Sequence, residues 1–254
     1  MRHAIIHTIT TGNLLCGFIS IVAAIEGYGV LAAWLIVCAA LLDAFDGKIA
    51  RFMNSQSAFG LQFDSLADLV SFGAAPGVLV YLLAFRENGV LGVLVSFTPL
   101  IFSAIRLARF NITERAEDSD YEGLTAPLQG CLIASFVIFS VSLWGDVRSD
   151  TVLAGLVIFL GLLMVTRFPL PNLPRITFRE PGYNLTKMLV LIGGIIVTAL
   201  NPPLHTFPVL AAVVLAAFVV GAVRSAQHEV DELVESRAGT SESEASMSGA
   251  ADDS

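Results

Sequence analysis

An all-α, polytopic membrane bundle of about eight helices is the fold this sequence predicts, on three observations. Apolar residues make up 55% of the 254-residue chain and its mean hydropathy is +0.76, above the roughly 45–50% apolar content of soluble domains. Apolar runs recur along most of the length, and about 20 such residues suffice for a helix to cross ~30 Å of hydrocarbon. Basic residues gather at alternate ends of those runs, the asymmetry that orients membrane helices.

The first run, near 10–27, follows Met1-Arg2-His3 without a small-residue cleavage site, so it reads as a retained span and not a removable signal peptide. Runs near 29–51, 61–84, 89–109 and 125–144 supply the second to fifth spans. Three shorter runs, near 152–168, 184–200 and 206–224, complete the count, with room for tilt or for one re-entrant segment. Outside the tail the longest connection is the polar stretch 111–124. With a cytosolic N-terminus and every run crossing, twelve basic residues lie on the cytosolic side, and only Arg86 and Arg148 lie outside. That arrangement puts both termini on the cytosolic side, and the expected location is a bacterial or archaeal cell membrane.

The net charge of −8 misleads, because residues 229–254 hold eight acids against Arg237 alone. The remainder is nearly balanced, 14 acids to 13 bases. Two regions follow: a membrane-embedded domain over 1–224 and an acidic, Ser/Ala/Gly-rich tail over 225–254 with too little apolar surface to fold. An acidic balance of this kind argues against nucleic-acid binding. Cys16, Cys38 and Cys131 are odd in number, far apart and set in apolar runs, which suggests neither a disulfide framework nor a zinc site.

Chemistry enters with four acids inside the spans. An ionisable residue in hydrocarbon is costly and marks function by default. Here Asp43, Asp46, Asp64 and Asp68 all lie within apolar runs. Asp43, Asp46, Gly47 and Ala50 fall at i, i+3, i+4 and i+7, one face of a helix; Gly60, Asp64 and Asp68 fall at i, i+4 and i+8, one face of the next. A short loop joins the two helices, so they run antiparallel and the acidic stripes can face each other. Carboxylates converging at low dielectric repel, so cations must neutralise them. Oxygen donors without His or Cys select Mg²⁺ or Mn²⁺ over zinc, and four acids can hold a two-metal centre. Gly47, Ala50 and Gly60 leave space beside the acids for a flat or phosphorylated ligand; on their own, such small residues would signal only tight helix packing.

The pattern D-x-x-D-G-x-x-A-R, eight residues, G-x-x-x-D-x-x-x-D, from Asp43 to Asp68, resembles the signature of the CDP-alcohol phosphatidyltransferases at every defined position. That resemblance implies a six-helix core, here with two further C-terminal helices, usually in a homodimer whose site opens to the cytosolic half of the membrane. Asp43, Asp46 and Asp64 would be metal ligands, and Asp68 a ligand or the base that takes the acceptor's hydroxyl proton. Gly47, Ala50, Arg51 and Gly60 would hold the cytidine and its diphosphate.

Further stretches are similar to the phosphatidylserine synthase branch. Asp64-Ser-Leu-Ala-Asp68 continues to Ser71-Phe-Gly73 and Pro76; Arg106-Leu-Ala-Arg109-Phe-Asn111 is another. Thr11-Gly-Asn13-Leu-Leu-Cys16-Gly17 is a looser match, its threonine one position closer than in the branch. The branch's first proline is missing from Gly123-Leu-Thr-Ala-Pro127. The implied substrates are CDP-diacylglycerol and L-serine, with glycerol 3-phosphate, inositol phosphate or choline as the other acceptors used within the family. A zwitterionic serine needs a cation for its carboxylate, and Arg106 and Arg109 are the candidates to bind that carboxylate or the lipid phosphate, with Ser71 and Asn111 as further polar contacts. The competing role for the two arginines is snorkelling to lipid headgroups, and for Ser71 a bond to its own helix. A cation transporter would also bury aspartates, but the chain holds no second copy of their pattern. No histidine is followed two residues on by lysine, which removes phospholipase-D-like chemistry.

Overall fold

The computed structural model describes residues 2–53, 58–113, 123–147, 150–166, 198, 200–216 and 218. Every regular element among them is helical. Helix α1 covers Arg2–Ile25 and α2 covers Gly29–Met53. A third span, Ala58–Phe85, is built from α3 (Ala58–Asp68), a π segment (Leu69–Ala74), α4 (Ala75–Val80) and a second π segment (Tyr81–Phe85). Then follow α5 (Gly89–Thr113), α6 (Ala126–Trp144), α7 (Asp150–Val165) and α8 (Pro202–Ala216).

Five helices are long and apolar enough to cross a membrane: His7–Ile25, Gly29–Ile49, Ala58–Phe85, Gly89–Ile112 and Ala126–Trp144. They match the first five expected spans. The remaining three expected spans are not established as crossings. Helix α7 has 16 residues, about 24 Å of rise, less than the ~30 Å hydrocarbon core, and α8 is likewise short. The expected seventh span, 184–200, lies almost wholly outside the described residues, as does the acidic tail 225–254.

Helix α1 follows membrane logic, with small and polar residues inward and bulky apolar ones outward. On α1, Thr10, Asn13, Gly17, Ser20 and Ala24 are buried at helical spacing, while Leu15, Phe18, Val22 and Ile25 are exposed. Helix α2 answers with Ala32, Ala33, Ile36 and Ala39, and Ser20 Oγ donates to Ala32 O at 2.8 Å across the pair. Helix α6 is enclosed, buried from Ala126 to Ser140 along most of its circumference, and packs on α2, the third span and α7. Pro99 interrupts the α5 ladder. Thr98 Oγ1 donates to Val95 O at 2.7 Å and Gln129 Nε2 to Pro99 O at 3.3 Å, so the backbone beside the proline keeps its partners in an apolar interior.

The missing proline near position 125 would be expected to loosen the start of α6. Other contacts fix that start instead. Gly123 adopts φ +80° with the carbonyls of Met164 and Thr166 3.0 Å from where a Cβ would sit, and Leu124 N donates to Leu163 O at 3.4 Å.

Candidate active site

One end of the bundle collects the start of α1, the second half of α2, α3 and the end of α5. Asp43 and Asp46 lie in the second half of α2 and Asp64 and Asp68 in the second half of α3. Oxygens of Asp43, Asp64 and Asp68 lie within 4.8 Å of one another, a set able to hold a divalent cation. Asp68 and Asp46 are buried, while Asp43 and Asp64 are half-buried. Asp64 Oδ1 is buried with no hydrogen-bond partner among the described residues. A buried carboxylate oxygen left without a donor is an open ligand position, so the donor set fits a hard cation.

Asp46 occupies a different place in this arrangement. It lies outside the 4.8 Å set, and its Oδ2 accepts from Thr10 Oγ1 at 3.0 Å. Asn13 Nδ2 donates to Asp68 Oδ1 at 3.1 Å. The π segment that begins directly after Asp68 widens the helix: Ala75 N reaches back five residues to Val70 O. Pro76 follows, with no N–H to give and a ring that crowds the preceding turn, which favours the wider winding.

The expected polar contacts are distributed unequally. Ser71 is fully buried and its Oγ donates to Asn13 O at 3.0 Å, binding the third span to α1. Asn111 Nδ2 donates to Ser65 Oγ at 3.1 Å and to Gln62 Oε1 at 3.4 Å, tying the end of α5 to α3. Arg109 Nη1 donates to Val165 O at 3.3 Å, where α7 ends. Arg106 is half-buried one turn earlier on α5. Gly47 and Gly60 are half-buried near the acids, whereas the side chains of Ala50 and Arg51 lie outside the described set.

Thr10 is the residue that sequence reasoning passed over. The threonine quoted in the loose first-span match, Thr11, is exposed and donates to His7 O at 2.6 Å. Helical spacing held the signal: Thr10 and Asn13, at i and i+3, share a face that Thr11 does not.

Residues 5–223 match the family model described as CDP-alcohol phosphatidyltransferase. A CDP-diacylglycerol–serine O-phosphatidyltransferase of Helicobacter pylori J99 is 35% identical over 185 residues, covering 72% of this chain and 76% of the relative. The protein of that name from Bacillus subtilis 168 is 37% identical over 126 residues, 49% of this chain and 71% of the relative. An archaetidylserine synthase of Methanothermobacter thermautotrophicus is 30% identical over 164 residues, 63% of this chain and 66% of the relative.

Proposed function

The chain belongs to the CDP-alcohol phosphatidyltransferase family, and from that premise we propose that it transfers the phosphatidyl group of CDP-diacylglycerol to the hydroxyl of L-serine, releasing CMP. The observation that carries the reading is the convergence of Asp43, Asp64 and Asp68 oxygens within 4.8 Å at one end of a membrane bundle. Serine is favoured among acceptors because similar proteins in bacteria and an archaeon carry serine-transferase names.

Asp43, Asp64 and Asp68, with Asp46 beside them, would hold two divalent cations, Mg²⁺ or Mn²⁺, whose chemistry when bound is to neutralise the diphosphate. Gly47 and Gly60 would leave the diphosphate and cytidine room against the backbone, and Ala50 and Arg51 complete the nucleotide-binding signature in sequence. Asp68 takes the proton from the acceptor's hydroxyl. The acceptor oxygen then bonds to the lipid-side phosphorus in line with the breaking bond to the CMP oxygen, and CMP departs with that electron pair. Arg106 and Arg109, one turn apart, give the acceptor's carboxylate a cationic wall. Most of the rate comes from placing the two oxygens and the phosphorus, and little from covalent chemistry by the protein. The site faces the cytosol, where the nucleotide-bearing lipid headgroup and serine meet, and the chain works as a homodimer.

Purified protein supplied with CDP-diacylglycerol and Mn²⁺ or Mg²⁺ tests this. CMP release that depends on L-serine is expected; release with glycerol 3-phosphate, inositol phosphate or choline instead would reassign the acceptor. Release with none of them would end the reading.

A further inference from the structure

The first span carries none of the four carboxylates, yet it touches two of them. Asn13 Nδ2 donates to Asp68 Oδ1 at 3.1 Å and Thr10 Oγ1 donates to Asp46 Oδ2 at 3.0 Å. Both side chains are buried, Asn13 completely. An amide inside an apolar bundle is costly, and small residues alone would satisfy the packing between α1 and its neighbours. Because Thr10 and Asn13 sit at i and i+3, one face of α1 reaches the acids of both α2 and α3 at once.

Asn13 is held in turn. Ser71 Oγ donates to its backbone carbonyl at 3.0 Å. One turn along α1, Gly17 lets the third span approach so closely that a Cβ there would sit 2.7 Å from Ser71 Cα. The amide nitrogen faces Asp68, the orientation that serves a carboxylate acting only as an acceptor, as it would beside a cation. A carboxylate has a broad, roughly two-fold terminal torsion and turns readily unless a donor fixes it. With Oδ1 fixed by Asn13, the torsion of Asp68 is set, and with it the place of its second oxygen.

We infer that Asn13 and Thr10 are positioning residues of the reaction, fixing Asp68 and Asp46 so that the acidic cluster is formed before a cation or substrate arrives. Neither touches the reacting atoms; each acts through the carboxylate it holds. The inference rests on the cluster being the metal-binding centre of phosphatidyl transfer.

The test is Mn²⁺ binding to the purified full chain without substrate, followed by electron paramagnetic resonance, beside steady-state CMP release. Asn13→Ala and Thr10→Val are expected to weaken Mn²⁺ binding by about ten- to a hundred-fold, as loss of a ligand-orienting partner does. Thr10→Ser, which keeps the hydroxyl, is expected to restore it. At saturating Mn²⁺ the loss should fall on kcat, with KM for serine nearly unchanged. Unaltered Mn²⁺ binding by both variants, in a wild type that releases CMP, overturns the inference and leaves the transfer reaction standing. Weakened binding by both, in a chain that releases no CMP with any acceptor, upholds the positioning and removes the transfer reaction. Should Asn13→Ala fail to fold, the Thr10 pair decides: equal Mn²⁺ affinity in the Val and Ser variants overturns the inference.

Discussion

Replacing Asp64 with asparagine keeps the side chain's shape and removes one charge, so it separates an acid that serves a cation from one that serves the fold. Oxygens of Asp43, Asp64 and Asp68 lie within 4.8 Å, and two unit charges at that distance repel by about 3.5 kcal/mol at an effective dielectric of 20. Water reaching the half-buried Asp43 and Asp64 screens much of this, leaving on the order of 1 kcal/mol. In the metal-free protein the substitution should therefore stabilise, raising the unfolding temperature by about 2–4 °C for a chain of this size. With Mn²⁺ the order reverses. A cation at a hundred times its Kd adds about 2.7 kcal/mol to the wild type, and the variant, short of one charged ligand, gains little of it. Thermal unfolding in detergent, with EDTA and then with Mn²⁺, reads both arms, and CMP release should be abolished. A variant less stable than wild type in EDTA would mean that Asp64 is held by a structural ion pair. Wild-type turnover would refute its assignment as a ligand.

Gly17→Val places a Cβ 2.7 Å from the Ser71 backbone, so α1 must separate from the third span at a cost of about 1–3 kcal/mol; unfolding temperature and Mn²⁺ affinity should fall together, and a variant equal to wild type in both would show that the close approach is dispensable. Ser71→Ala removes the bond to Asn13 O, with a loss of about 1 kcal/mol in stability and an unchanged KM for the acceptor; a large rise in that KM would return Ser71 to the acceptor pocket.

Much of this architecture was legible in the sequence because hydropathy and charge act over whole segments. Five spans follow directly from run length, and the carboxylates declare themselves because an acid in hydrocarbon needs a reason. The facing of α2 and α3 follows from a short loop and two helical stripes. Less legible were features set by single contacts. Asp46 is drawn to Thr10 and lies outside the set formed by Asp43, Asp64 and Asp68, a distinction that i, i+3 spacing does not contain. Ser71 and Asn111 read as substrate contacts from their place in a motif, and that motif does not contain the bonds they make between helices, to Asn13 O and Ser65 Oγ. The π winding after Asp68 has only Pro76 as a local sign. The short helix α7 reads as a span by composition, but its 16 residues are too few to cross unaided.

Anomalous diffraction from crystals grown with Mn²⁺ and CDP-diacylglycerol examines the metal-binding cluster most directly. The expected result is manganese density between the carboxylates of Asp43, Asp64 and Asp68, with the lipid's diphosphate against it. Carboxylates splayed towards lipid, or manganese bound only elsewhere, would contradict it.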